Sequence, residues 1–316
     1  MTAYVRGKGG FEFRDDWPEP KAPTKDEVVL KVSTAAINPV DYKLGKGMLG
    51  DIVGLDVCGV VEAVGDQSPF KVGDRVYGRT KGSLAQKTIT KSSMLSLTPS
   101  NLSVDAIAAI PTVYLTGLQA LRDHGGLQAG GSVLVIGASG GCGLAGVQMA
   151  RALGAGRIVG VCSGKNCDLV LANGADAVVD YTKENFWDMP EKFDLVYDTA
   201  TNSGGNEEYK LRALSVLKTK ADSSNAKHGQ YVAINGSVSM WIRMFTIGQK
   251  ANQHIFFVDI NSKDLEQVRK FAEEGIVKPI IADCKEFTQA GLEEGYQQLQ
   301  GRRTVGKIVY TIDTNA

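Results

Sequence analysis

The sequence predicts an α/β protein, a doubly wound parallel sheet accompanied by a second, β-rich domain. Three observations predict it. From about Asp105 to Ile260, short apolar runs alternate with stretches of helical period. A glycine-rich turn joins the first of those runs to the first of those helices. Ahead of Asp105, strand-like runs follow one another at close spacing.

The early runs are residues 28–33, 55–64, 72–78 and 83–90, with glycine turns between them. Several short strands so closely spaced read as a small barrel or sandwich. Pro18, Pro20 and Pro23 mark an early loop. The later runs are 132–137, 157–162, 177–180, 194–198, 230–234 and 254–260. Residues 144–153 and 166–173 carry helical spacing between them, the second closed by Gly174. Strands alternating with helices argue for βαβ units. The polar run 218–228 reads as a surface loop. Residues 263–274 form an expected helix with Gly275 as its C-terminal cap. Runs 277–282 and 307–312 return to strand texture and could rejoin the first domain. The expected domains are 1–105 with 263–316, around a domain of βαβ units at 106–262.

Composition excludes several classes. The 316 residues are 43% hydrophobic and 22% charged, ordinary for a globular chain. Thirty-five basic residues balance thirty-five acidic ones, which argues against nucleic acid as a partner. The five cysteines include no CxxC pair, so neither a disulfide framework nor a zinc ribbon is expected. No apolar run reaches the ~18 residues of a membrane span. The first residues lack the apolar core of a secretory signal, so no cleavable one is expected. The expected location is cytoplasmic or organellar, plastids included.

The strongest motif is Gly137-Ala138-Ser139-Gly140-Gly141-Cys142-Gly143, after an expected strand and opening an expected helix. Gly141, Gly143 and Gly146 also complete G-x-G-x-x-G. In that context, glycines admit a pyrophosphate and the helix N-terminus offers N–H groups and a positive dipole end. The alternative is a tight turn that binds nothing. NAD binders carry Asp or Glu about 20 residues on, against the ribose 2′-hydroxyl. Here the second strand ends Cys162-Ser163-Gly164-Lys165-Asn166. Ser163 and Lys165 suit a 2′-phosphate, which favours NADPH over NADH. Tyr181 either lies beside the adenosine phosphate or packs at the sheet edge.

Metal chemistry is not expected. His124, His228 and His254 are the only histidines, and none stands at ligand spacing from Cys or carboxylates. No G-x-S-x-G elbow is present for serine chemistry.

Asn38-Pro39-Val40-Asp41-Tyr42-Lys43, Gly73-Asp74-Arg75-Val76, the glycine loop, Gly174-Ala175-Asp176 and Asp180-Tyr181 resemble the medium-chain dehydrogenase/reductase superfamily. The resemblance extends to the closing Arg302-Arg303-Thr304-Val305-Gly306-Lys307. Within the superfamily the chain is similar to the zinc-independent quinone oxidoreductase branch, in its plant envelope and enone oxidoreductase group. The resemblance implies a GroES-like catalytic domain wrapped around a Rossmann domain, with NADPH in the cleft. Gly54-Leu55-Asp56 stands where zinc relatives carry Gly-His-Glu.

Relatives of this kind reduce the carbon–carbon double bond of unsaturated carbonyls. Hydride reaches the β-carbon, and negative charge develops on the carbonyl oxygen. The resemblance implies catalytic roles for Lys43 and Tyr42. The expected cofactor set is Asn38, Lys43, Thr116, Ser139, Gly140, Gly141, Cys142, Gly143, Ser163, Lys165, Asn166, Tyr181, Asp198, Asn235, Arg303 and Thr304. The chain departs from the family in a short stretch at 47–54, a polar turn at 199–205 and an extended loop at 221–227.

The expected function is NADPH-dependent reduction of an enone, enal or quinone. An enoyl-thioester reductase and an NADPH-binding sensor without turnover are the alternatives. The Phe-rich run 254–260 could pair across a homodimer.

Overall fold

The computed structural model describes residues 1–200, 207–222, 228–236 and 238–313. Residues 201–205 of the expected polar turn and residues 223–227 of the polar loop lie outside these. The chain divides into two units, Met1–Leu115 with Asp259–Ala316, and Thr116–Val258.

The first unit opens with a hairpin, β1 (Ala3–Gly7) and β2 (Gly10–Arg14). A seven-stranded sheet follows, in the order β14-β15-β3-β4-β5-β7 with β6 also on β3. Its strands are β3 (Glu27–Ala36), β4 (Asp56–Val64), β5 (Arg75–Arg79), β6 (Lys87–Lys91) and β7 (Leu95–Leu97). The late strands β14 (Ile281–Glu286) and β15 (Lys307–Thr311) complete it. β15 lies antiparallel to β3, so the end of the chain does rejoin the beginning. The expected strand at 277–282 starts later, at Ile281, beyond Pro279. Proline offers no N–H to a ladder, which delays pairing.

Helices α1 (Pro39–Lys43), α2 (Lys46–Leu49), α3 (Val104–Ala108), α9 (Ser262–Glu273) and α10 (Gln289–Gln300) belong to this unit. α3 packs on β3 and β4, so helical texture begins inside the first unit. α9 is capped by the Asn261 side chain, which accepts from the Asp264 N–H at 2.9 Å, and Gly275 follows it at φ +76°. Val28, Leu30, Val32, Val57, Val61, Val76 and Leu95 form one core between the strands. Burying each such side chain contributes about 1.5–3 kcal/mol.

The second unit is a six-stranded, all-parallel Rossmann sheet in the order β10-β9-β8-β11-β12-β13. The strands are β8 (Ser132–Ile136), β9 (Arg157–Cys162), β10 (Ala177–Asp180), β11 (Leu195–Asp198), β12 (Gln230–Ala233) and β13 (Gln253–Ile255). Helices α5 (Gly141–Ala152), α6 (Cys167–Ala172), α7 (Glu207–Ser215) and α8 (Val238–Thr246) connect them, and α4 (Pro111–Gln119) runs into the unit. Leu134, Ile136, Val159, Val161 and Val196 form the centre of its core. Apolar runs buried on both faces are what parallel sheets require.

The Phe-rich sixth run is shorter as a strand than expected, ending at Ile255. Phe256 leaves the ladder and stacks on His124, with ring centroids 4.2 Å apart. Phe257 is 54% exposed against Trp241.

Candidate active site

The second unit forms a dinucleotide turn where its strand order reverses, between β8 and β11. Gly137 has φ +77°, and a Cβ there would fall 2.7 Å from Thr199 Oγ1. Thr199 secures the turn by donating to the carbonyl oxygens of Ile136 (2.8 Å) and Gly137 (3.2 Å). A Cβ on Gly143 would lie 2.1 Å from the Gly137 carbonyl oxygen. The expected phosphate glycines thus divide their work. Gly143 and Gly146 are buried and set how closely α5 packs, whereas Gly137 to Gly140 form the open turn. Gly140 caps α5 without a side-chain hydrogen bond, so no N-cap side chain competes for the first-turn N–H groups. That cradle fits a pyrophosphate.

The loop after β9 stands beside this turn. Asn166 Nδ2 donates to Ser139 Oγ (3.1 Å) and to Ser163 Oγ (3.2 Å), gathering three expected residues. Lys165 is exposed next to them, and Tyr181 is 61% exposed after β10. The loop itself carries no carboxylate, but the neighbouring strand brings one. Asp180 pairs in register with Cys162, and a Cβ on Gly164 would fall 2.3 Å from its Oδ2. The Thr182 hydroxyl, donating at 2.7 Å, leads the contacts that hold the Asp180 pKa below the usual carboxylate value. The sequence shows Asp180 only as part of the Asp180-Tyr181 family motif, because the strand register that brings it to this loop is not a local signal.

Asp198 is buried at the end of β11 and accepts from Tyr231 Oη (2.8 Å) and the Ala200 N–H (3.0 Å). Asn235 is partly exposed just past β12, and Thr116 is buried in α4. Cys142 is the second residue of α5.

In the first unit, β3 leads through Asn38 into α1, which carries Tyr42 and Lys43. Asn38 is buried at a polar junction. Its Nδ2 donates to Asp56 Oδ2 (2.9 Å), and its Oδ1 accepts from Lys307 Nζ (2.5 Å). Lys307 also donates to the Ile37 carbonyl (2.9 Å) and pairs with Asp56 Oδ2 (3.2 Å). The other Asp56 oxygen accepts from the Thr112 N–H (3.1 Å) and hydroxyl (2.5 Å). Asp56 thus joins Lys307, Asn38 and Thr112 beneath α1, and its neighbour Leu55 is buried core.

Asp41 closes the first turn of α1 by accepting from the Asn38 N–H at 2.8 Å. Burial is the main cause that pushes its carboxyl up to about 7. Arg6 braces the same segment, donating to the carbonyl oxygens of Asp41 (2.9 Å), Gly50 (3.2 Å) and Ile52 (3.0 Å). The short stretch 47–54 is therefore tied to β1, with Ile52 also bridged to Val5.

Lys43 is exposed, yet surrounding protein lowers its pKa by desolvation, and the Arg302 cation lowers it further. Tyr42 meets the Tyr296 ring edge-on at 6.4 Å, and burial raises its pKa. Arg303 is exposed, while Thr304 donates to the Gln298 carbonyl at 3.2 Å.

Family comparisons agree with this architecture. A model described as alcohol dehydrogenase GroES-like domain matches residues 24–101, and one described as zinc-binding dehydrogenase matches 173–309. The 2-methylene-furan-3-one reductase of Solanum lycopersicum is 34% identical, over 90% of this chain and 71% of that one. The chain belongs to the medium-chain dehydrogenase/reductase superfamily. Its branch is that of the quinone and alkenal/one oxidoreductases. The chloroplastic NADPH-dependent alkenal/one oxidoreductase of Arabidopsis thaliana is 30% identical, over 90% of this chain and 72% of that one. A quinone oxidoreductase structure from Coxiella burnetii superposes with TM-score 0.82 at 22% identity, covering 99% of both chains, and shares the fold.

As a member of this superfamily, the protein is an NAD(P)H-dependent oxidoreductase. The zinc in one family description finds no fit. Among the described residues no group of three His, Cys, Asp or Glu is placed to hold a metal ion. His254 instead shares a hydrogen bond with Gln230 Oε1 (3.0 Å). Among the described residues, no helix is long and apolar enough to cross a membrane.

Proposed function

We propose that this oxidoreductase uses NADPH to reduce an α,β-unsaturated carbonyl or a quinone. The observation that carries the cofactor reading is the loop after β9. Asn166 holds Ser163 and Ser139 together, and exposed Lys165 stands beside them. A serine hydroxyl and an ammonium favour a 2′-phosphate, while the carboxylate of Asp180 turns Oδ1 to Thr182 and Oδ2 to the Gly164 backbone. The substrate class follows from the similarity to the furanone and alkenal/one reductases.

NADPH supplies the hydride. In this reading the backbone of residues 137–143 and the N-terminus of α5 hold the pyrophosphate. Ser163, Lys165 and Asn166 select the phosphorylated ribose, with Tyr181 alongside. Lys43 stabilises charge developing on the substrate carbonyl oxygen. An ammonium that is partly desolvated does this better than one in bulk water. Tyr42, on the same short helix, supports the substrate or a proton transfer. Asn38 acts through the helix it starts.

The test is a panel of short 2-alkenals, cyclic enones, a long-chain γ-ketol and simple quinones, followed by loss of nicotinamide absorbance, with NADH as control. NADPH-dependent turnover on enones or quinones is expected. Tight NADPH binding without turnover on any acceptor would overturn the reading, and turnover only on enoyl thioesters would replace it.

A further inference from the structure

Two thiols have no part in the reaction just proposed. Cys162 ends β9 and Cys167 begins α6. Between them lies only Ser163-Gly164-Lys165-Asn166, the loop assigned to the 2′-phosphate. The Cys162 side chain is buried, and Cys167 stands close enough to act on its thiol. The Cys167 thiol donates to the Ser163 carbonyl at 3.9 Å. Both sulfurs therefore share one small space at the base of the loop. Disulfide formation requires such proximity, together with side-chain rotation to the bonded geometry.

We propose that Cys162 and Cys167 form a reversible disulfide that weakens NADPH binding by reshaping the loop they bracket. Its second half rests on the cofactor reading above, whereas the disulfide itself does not. The oxidant is a low-molecular-weight disulfide, RSSR. Cys167 is partly exposed and reacts first. Its thiolate attacks one sulfur of RSSR, the S–S bond breaks, and one RSH leaves after taking a proton. Cys162 then loses its proton to solvent and attacks the Cys167 sulfur, expelling the second RSH. Two protein thiols are oxidised and one RSSR is reduced to two RSH. Burial, with Cys167 close by, pushes the Cys162 thiol up to about 12, so the second step is the slow one and relies on the intramolecular proximity of the Cys167 mixed disulfide.

The consequence for the loop follows from what Cys167 releases. Bonding to Cys162 withdraws it from the Ser163 carbonyl. Asn166 is its chain neighbour and the tie between Ser163 and Ser139. Moving Asn166 displaces the groups assigned to the phosphate. By linkage, bound NADPH protects the thiols to the extent that the disulfide weakens NADPH.

The full chain is incubated with oxidised glutathione, with and without NADPH. Free thiols are then alkylated, peptides are weighed, and NADPH affinity is measured by fluorescence. A peptide with Cys162 joined to Cys167, two hydrogens lighter, is expected. NADPH affinity should fall about tenfold, the scale of one lost charged contact, and return with dithiothreitol. Cys167→Ser and, separately, Cys162→Ala should abolish both effects. A stable glutathione adduct on Cys167 beside a free Cys162 would overturn the proposal. So would an unreacted pair while exposed Cys284 reacts. A joined pair with unchanged NADPH affinity would overturn the switch. Reduced protein that binds no NADPH would instead overturn the cofactor reading, while the peptide mass still decides the disulfide.

Discussion

The two regions assigned to chemistry are anchored by different physics. The Asn38–Lys43 segment rests on buried charge, with Lys307 paired to Asp56 and both bound to Asn38. The Ser163–Asn166 loop rests mainly on neutral side-chain hydrogen bonds, Asn166 to Ser139 and to Ser163, with the Asp180 carboxylate against Gly164, in a partly exposed setting. A buried ion pair is costly to break, because the surviving charge is left without a partner. Neutral bonds at a surface are individually worth about 0.5–1.5 kcal/mol. The first region is thus built to hold one geometry. The second can change geometry at small cost.

The largest effect should come from breaking the buried anchor. Lys307→Met takes from buried Asp56 the cation it pairs with, and the chain should lose about 3–5 kcal/mol of stability. Urea unfolding measures this directly. A loss below about 1 kcal/mol would show that Asn38 and Thr112 satisfy Asp56 by themselves. The next effect separates anchoring from chemistry. Lys43→Ala removes an exposed side chain, so the unfolding midpoint should hardly move. Turnover should fall about 10²–10³-fold, as when one oxyanion donor is removed. A parallel loss of stability would place Lys43 among the anchors instead.

The contrast also explains what could be read from the sequence. The glycine turn, the alternating strands and the Ser163–Lys165 pair are local patterns, and each is visible within a few residues. The anchor is not local. Lys307 reaches Ile37 across 270 positions, and Asp56 reaches Thr112 across 56. A lysine opening the apolar run Lys307–Thr311 was the one available signal, since a cation beginning a buried strand must have a partner. Arg6, and the place of Asp180 beside the loop, were equally silent, because β1 packing and strand register deliver them. The sixth run was over-read for a related reason. Its phenylalanines have strand propensity, but Phe256 leaves the edge of the ladder and stacks on His124.

Asp41 tests whether the anchored region responds to pH. Its folded pKa of about 7 lies above the ordinary value of 3.8, so the folded chain keeps a proton that the unfolded chain has lost. Stability should therefore decline as pH rises from about 4 to 7, by up to about 1.4 kcal/mol per pH unit, and level off above. Asp41→Asn keeps an acceptor for the Asn38 N–H and cannot ionise. The difference in unfolding free energy between the two proteins should grow with pH across that window. A constant difference would mean that Asp41 stays ionised throughout.

The smallest effect tests the second region. Lys165 is exposed, so Lys165→Glu should leave folding intact and reverse one charge beside the proposed 2′-phosphate site. The Michaelis constant for NADPH should rise about tenfold or more, the scale of one charge-assisted contact, and that for NADH should change far less. The NADH arm matters because a loop distorted by the substitution would weaken both cofactors alike. Equal losses would place the selectivity elsewhere and leave Ser163 and Asn166 as supports of the turn. A selective loss would show that one exposed cation sets cofactor choice in this loop. Raising the salt concentration should then weaken NADPH binding in the parent protein more than in the variant, because screening removes an attraction that the variant no longer has.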